Sequence, residues 1–352
     1  MAAHQQSPPR VVTLSEIEEV VSSDGFAARL VDAILDGFVS FSRDDGRPSH
    51  VAVRIVIVVR GGGDYYSAQT CVKSGYLSSS SHYVVKVASG GRPFPSNSGN
   101  VQLYSQSTGA LVAIFLDDGL LTELRTAAAG AAAARLLSPD LSIDLCVGMV
   151  GTGTQARHQL RYLRCVTGCR NAMVWGRTKI NVEGFVDDMS TEGWDVRSVE
   201  DVDDLLDACG LIVTTTSSRM PLLGRGWPGR AGASGRDRDI GRPLHVTCVG
   251  SDSIGKKELD DAFVSSADML VADSRLQTAE RGEFQDVVRS GLVGIDDVVE
   301  IGELANRKAL HRGRGIADDR KNEDRRLTIF DSSGVAVQDC VIASMVYEAL
   351  RP

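Results

Sequence analysis

The sequence predicts an α/β fold in which a parallel sheet flanked by helices lies between an α+β lobe and a short tail. Three observations predict it. The first stretch joins one long helical pattern to runs of alternating or branched apolar residues; from residue 143 strand-like and helix-like segments alternate; and near residue 326 that rhythm stops. The implied domains are residues 1–138 with 325–352, and residues 139–324.

Residues 14–41 carry apolar side chains at helical spacing, and residues 51–59, 83–88 and 101–104 read as strands. Residues 122–137 form an Ala-rich helix whose small side chains permit close packing. Candidate strands follow at 143–150, 171–175, 211–216, 244–250 and 268–272, separated by helical patterns, which implies a parallel sheet covered on both faces. Residues 326–330 read as a strand and 334–350 as a helix, a tail expected to return to the first lobe. Residues 224–242 and 311–326 are rich in Gly and charge and read as excursions from the core, with mobile surface loops as the expectation.

Composition removes several functions. The chain of 352 residues is long enough for two cores. Its 38 Lys and Arg against 46 Asp and Glu give a net charge of −8, which offers no grip on a phosphate backbone, so no nucleic-acid partner is expected. The start, MAAHQQSPPR, has neither a basic nor an apolar leader region. Its most apolar stretches, 51–59 and 111–115, fall far short of the roughly 20 residues of a membrane span. A soluble, cytoplasmic protein with no membrane partner is the expectation. Seven scattered cysteines suggest reduced thiols, and the six histidines cluster with no other ligands, so no metal is expected.

The chemistry enters at VGMVGTGTQARHQL. Gly151, Gly153 and Ala156 form a GxGxxA pattern after a strand and at the start of an amphipathic helix, the context of a Rossmann dinucleotide loop. Gly151 permits the tight turn, Gly153 lets a pyrophosphate approach the backbone, and Ala156 lets helix pack on strand. The second strand ends Trp175-Gly176-Arg177-Thr178, without the carboxylate that would hold ribose hydroxyls. A guanidinium and a hydroxyl suit a 2′-phosphate, so NADP(H) is preferred and NAD(H) stays possible; the alternative is that Arg177 is a solvated loop residue.

Five segments, VVKVASGG (84–91), LDDGLLTELRTAAAGA (116–131), VGMVGTGTQARHQL (147–160), VGSDSIGKKELDD (249–261) and IFDSSGVAVQD (329–339), jointly resemble the ornithine cyclodeaminase and mu-crystallin family over nearly the whole chain. The resemblance implies a Rossmann domain inserted into a discontinuous substrate and dimerisation domain, and a homodimer. By similarity, Arg54, Lys86 and Arg125 hold the substrate carboxylate, Asp252 is the catalytic aspartate with Lys86 beside it in the catalytic set, and Lys256, Ser332 and Gly334 contact substrate or cofactor. Thr152, Thr154, Gln155, Asn181, Thr216, Ser217 and Val249 match nucleotide-contacting positions.

Alternatives stand beside these assignments. Arg125, read three residues after Thr122 in the first turn of its helix, opposes the macrodipole unless an anion binds there; it could equally be a surface residue. Lys86 and Arg54 could face solvent from their strands, and Asp252 or Ser253 could cap a following helix. The expected activity is NADP-preferring hydride transfer at the C–N bond of a small amino or imino acid. The rivals are an ornithine cyclodeaminase, which recycles its nucleotide, and a mu-crystallin-like binding protein without chemistry. The Gly176-Arg177-Thr178 run resembles the crystallin branch, Asp252 the enzymes, and the insertion at 229–241 fits neither.

Overall fold

The computed structural model describes residues 8–42, 53–60, 67–90, 97–139, 141–225, 243–313 and 327–351, with backbone alone for 53–60, 67–69, 90, 97 and 309–313. The cores of both Gly- and charge-rich excursions, 226–242 and 314–326, lie outside the described residues, as does the N-terminal segment 1–7. The chain forms two compact units, Met1–Arg125 with Val335–Pro352, and Thr126–Gly334.

The first unit begins with β1 (Arg10–Val12), α1 (Leu14–Val21) and α2 (Phe26–Phe41). The expected single helix over 14–41 is two. Ser22 ends α1, and Gly25 at φ 73 turns the chain into a left-handed conformation that glycine adopts without a Cβ clash. A capping box fixes the start of α1, with Thr13 and Glu16 exchanging side-chain and backbone bonds. Strands β2 (Val53–Arg60), β3 (Ser67–Tyr76), β4 (His82–Gly90), β5 (Asn97–Ser105) and β6 (Leu111–Phe115) form an antiparallel meander. β1 adds to β6 in parallel, giving the order β1-β6-β5-β4-β3-β2. Helix α11 (Ala336–Ala349) packs on β3, β4, β5 and α2, and the residues from Ala336 to Ala343 are all buried. Two glycines let it approach: a Cβ on Gly75 would stand 2.7 Å from Ala336 Cβ, and one on Gly37 3.1 Å from Val337 and Val341.

Helix α3 (Leu120–Leu137) contributes its first residues to the first unit and the rest to the second. Its alanines from Ala127 to Ala134 are fully buried, and Gly130 lies against Gln159, where a Cβ would meet Oε1 at 2.2 Å.

The second unit holds β7 (Cys146–Val150), α4 (Thr154–Thr167), β8 (Asn171–Trp175), α5 (Lys179–Thr191), β9 (Asp195–Ser198), α6 (Asp204–Ala208), β10 (Leu211–Thr214), β11 (Leu244–Cys248), α7 (Asp261–Ser265), β12 (Met269–Ala272), α8 (Arg275–Arg281), α9 (Gln285–Arg289), β13 (Val298–Glu300), α10 (Ile301–Gly313) and β14 (Leu327–Asp331). All eight strands run parallel in the order β13-β12-β14-β11-β10-β7-β8-β9. β10, β11 and β14 are buried along their whole length, as a sheet covered on both faces requires. One apolar cluster packs Phe263, Phe284 and Ile329 on one side, and the other packs Leu160, Phe185 and Met189. The direction of strand order reverses between β7 and β10, which makes their carboxyl ends the switch point where such sheets bind ligands.

β14 departs from expectation. The strand read for the tail does not follow α11 into the first unit; it completes the parallel sheet between β11 and β12. Its five consecutive buried residues, Leu327 to Asp331, suit a central strand and no sheet edge.

Candidate active site

The loop from β7 to α4 is built as its sequence demands. Gly151 has φ 114, and a Cβ there would stand 2.6 Å from Thr215 Oγ1. Gly153 is the N-cap of α4, and a Cβ on it would meet nothing within 4 Å, so among the described residues the space above the helix start is open. The first-turn amides of α4 have no partners within the helix and point into that space. Ala156 is fully buried under it. Arg157, which sequence reasoning passed over, pins the loop: its Nη1 donates to the Thr152 carbonyl at 2.6 Å, its Nη2 to Asp188 at 2.6 Å, and its guanidinium lies over the Phe185 ring. An open cradle of backbone donors beside a tight glycine turn fits a dinucleotide pyrophosphate.

Thr152 is half-buried beside Gly176, where a Cβ would stand 2.8 Å from the threonine methyl. Thr154 is exposed, and Gln155 Oε1 accepts from Gln159 at 3.0 Å. At the end of β8, Arg177, Thr178 and Asn181 are all exposed, and Thr178 is the N-cap residue of α5 without a side-chain capping bond.

Across the switch point, β10 runs into Thr215, Thr216 and the exposed Ser217, and β11 into Val249, whose N–H donates to the Thr214 carbonyl at 3.0 Å. Glu258, also unanticipated, ties these exits together. Its Oε2 accepts from the Thr214 hydroxyl at 2.6 Å and the Gly250 N–H at 3.1 Å, and its Oε1 accepts the Thr216 N–H at 2.5 Å. Burial pushes the carboxyls of Glu258 and Glu283 up, and Glu283 accepts the N–H groups of Glu258 and Leu259.

Asp252 follows β11 on a half-exposed side chain. Its Oδ1 accepts from Lys256 Nζ at 2.6 Å and Ser253 Oγ at 3.1 Å. No helix starts there: residues 253–256 make a turn closed by Lys256 N–H to the Ser253 carbonyl, and the next helix is α7. The capping role weighed for Asp252 and Ser253 therefore falls. Ser332 Oγ and Gly334 N–H both donate to Asp273 Oδ2, at 3.1 and 2.7 Å, in a fully buried network.

The first unit holds the cations. Arg125 lies in the second turn of α3, since the helix begins at Leu120 with the Leu121 N–H on Asp117 Oδ2 at 3.1 Å; the macrodipole argument for a first-turn arginine does not apply. Arg125 is 4% and Lys86 3% exposed, which overturns the solvent-facing alternatives for both. Lys86 Nζ and Arg125 Nε converge on Asp339 Oδ1 of α11, at 2.8 and 3.0 Å, and Arg125 Nη1 donates to Gln338 Oε1 at 2.6 Å. Asp339 Oδ2 and Gln338 Nε2 are buried and find no hydrogen-bond partner among the described residues. Burial pushes the Asp339 carboxyl up, but the charges of Lys86, Arg125 and Lys73 outweigh it and hold the group below the usual range. Arg54 sits in β2 with its Cα opposite Lys73, and Lys73 is in turn opposite Lys86; the Arg54 side chain lies outside the described residues.

The second unit carries a dinucleotide-type loop at its switch point and the first a buried cation cluster, and comparison with known proteins decides the family. Residues 16–352 match the ornithine cyclodeaminase/mu-crystallin family. The chain belongs to that family. Among its relatives in the ornithine cyclodeaminase/mu-crystallin family, an uncharacterised cyclodeaminase of Sinorhizobium fredii is 31% identical over 96% of this chain and 95% of its own. The alanine dehydrogenase of Archaeoglobus fulgidus is 33% identical over 70% and 68%. The structure of the iminosuccinate reductase of Paracoccus denitrificans in complex with NAD+ superposes with a TM-score of 0.72 at 27% identity, over 97% of this chain and 95% of that one. Members of this family related to the chain are thus NAD(P)-dependent oxidoreductases or cyclodeaminases. Among the described residues no helix is long and apolar enough to cross a membrane.

Proposed function

We propose that this chain is an oxidoreductase that moves a hydride between a nicotinamide dinucleotide, NADP(H) in preference to NAD(H), and the C–N bond of a small amino or imino acid, as a cytoplasmic homodimer. The second unit is the nucleotide unit and the first the substrate and dimerisation unit. The observation that carries the reading is the convergence of Lys86 and Arg125 on a single carboxylate, Asp339, inside a buried site. Two buried cations against one acid, with Gln338 Nε2 lacking an acceptor among the described residues, suit an incoming carboxylate.

When bound, the nicotinamide supplies or accepts the hydride. Lys86 and Arg125, with Arg54, hold the substrate carboxylate and so fix the orientation of the reacting carbon, which supplies much of the rate. Asp252 exchanges the proton at the substrate nitrogen, and Lys256 Nζ steadies its carboxylate through their 2.6 Å bond. Arg177 and Thr178, exposed beyond a strand that ends without an acid, support the 2′-phosphate. Thr152, Thr154, Gln155, Asn181, Thr216, Ser217 and Val249 line the nucleotide; Ser332 and Gly334 act by shaping the β14 exit through Asp273.

The cyclodeaminase reading is kept because the Sinorhizobium relative of that name matches along almost the whole chain. One experiment separates the two. The protein is incubated with NADPH or NADH and pyrroline-2-carboxylate, piperideine-2-carboxylate or pyruvate with ammonia, and separately with ornithine. Loss of reduced cofactor with an imino acid supports the reductase; proline from ornithine without net cofactor change supports the cyclodeaminase; binding without turnover in every arm leaves a crystallin-like protein and overturns both.

A further inference from the structure

We propose that Arg157 is a positioning residue for the nucleotide: it holds the Thr152–Gly153 peptide so that the Gly153 N–H faces the space that no described residue fills above the start of α4, ready for a pyrophosphate oxygen. The inference rests on the dinucleotide reading of that loop and adds to it a side chain that acts on the ligand only through the backbone.

A trans peptide is planar, and its C=O and N–H point in opposite directions. Whatever fixes a carbonyl therefore also aims the amide that follows it. Arg157 Nη1 donates to the Thr152 carbonyl at 2.6 Å and to the Gly153 carbonyl at 3.3 Å. The two bonds differ in consequence. Gly153 is the N-cap, and the carbonyl of an N-cap residue already accepts the first intrahelical bond, so α4 itself sets the Thr154 N–H. The Thr152–Gly153 peptide lies before the helix and has no such template. On its other flank Thr152 rests against Gly176, where a Cβ would stand 2.8 Å from the threonine methyl. Between that contact and the guanidinium the peptide is fixed, with the Gly153 N–H directed away from Arg157. Among the described residues no backbone acceptor meets that N–H.

The guanidinium is itself held in place. Nε and Nη2 both donate to Asp188 Oδ2, at 2.9 and 2.6 Å, and Cζ lies 5.2 Å from the centroid of the Phe185 ring. Phe185 and Asp188 stand three residues apart on α5 and so share one face of it. Serving an acid along one edge and two carbonyls from Nη1 takes the planar fork of arginine; a lysine ammonium is a point charge and cannot span both. A brace between α4 and α5 would need the acid and the ring but not the carbonyls. The bonds to the carbonyls carry the brace into the loop.

The test measures dissociation constants for NADH, NADPH and ADP-ribose by calorimetric titration, at a temperature where circular dichroism shows each variant folded. Arg157→Met should weaken all three by roughly 10- to 100-fold, since all carry the pyrophosphate, and Arg157→Lys should recover only part. Asp188→Asn, which alters a side chain 57% exposed, should give a smaller loss of the same kind. Combined with Gly153→Ala, Arg157→Met should cost less than the product of the two single losses, because both act on one peptide. Unchanged affinity in Arg157→Met with a lowered melting temperature leaves only a brace between helices and overturns the inference; so do full recovery by Arg157→Lys and a strictly multiplicative double variant. Should Arg157→Met not fold, Asp188→Asn decides, and unchanged affinity there overturns the inference. In each of these cases wild-type binding stands, and with it the dinucleotide reading. A wild type that binds none of the three ligands overturns both.

Discussion

Glu258 Oε1 accepts the backbone N–H of Thr216 at 2.5 Å, linking residues 42 apart in the chain at the mouth of the switch point. Since Oε2 accepts two further donors, three hydrogen bonds depend on one buried carboxyl. In Glu258→Gln the amide nitrogen must face a donor it cannot accept from. The expected loss is about 1–3 kcal/mol in urea unfolding, with weaker nucleotide binding; an unchanged midpoint would refute the tie.

The two loop glycines should respond differently to the same methyl. Gly151→Ala meets Thr215 Oγ1 and an unfavourable φ of 114, so it should lose stability and nucleotide binding together. Gly153→Ala meets nothing within 4 Å among the described residues, so its melting temperature should stay near wild type while nucleotide affinity falls at least about tenfold, about 1.4 kcal/mol. Thermal melts paired with fluorescence titration read both.

Asp339→Asn leaves Lys86 and Arg125 buried without their acid. The expected cost is about 3–5 kcal/mol at neutral pH. The Asp339 carboxyl is held below its ordinary value of 3.8, so it contributes stability above that value and loses it as pH falls through the lowered one. The gap between wild type and variant should therefore narrow in acid below about pH 3.8, and a gap that stays constant as pH falls below that value would contradict the assignment.

Arg177→Ala should weaken NADPH binding by roughly 1.5–3 kcal/mol, about ten- to a hundredfold, and hardly touch NADH. Equal losses for the two cofactors would remove the 2′-phosphate role.

What the sequence made legible was local. Strand β8 and the end of β7 show as short apolar runs, and the Gly151 turn as a motif, because each depends on neighbours in the chain. The break between α1 and α2 falls on Ser22-Ser23-Asp24-Gly25, a polar turn signal masked only by the helical spacing on either side of it, and β9 and β13, of four and three residues, are too short to show a period. The site divides the same way. Lys86 and Arg125 could be named, but their partner Asp339 lies 253 and 214 residues away, and neither Glu258 nor Asp273 carries a local sign of the amides and hydroxyls it collects. Lys73 sat unremarked in VKSGYL because only strand register brings it opposite Lys86.

Helix α11 also has a consequence for biosynthesis. The second unit is one uninterrupted stretch, Thr126–Gly334, whereas the sheet of the first receives its packing helix, and with it the only described acid that Lys86 and Arg125 share, from residues made after that whole stretch. During translation the second unit can therefore mature as soon as β14 emerges, while the earlier-made strands wait, uncovered, until α11 has followed it.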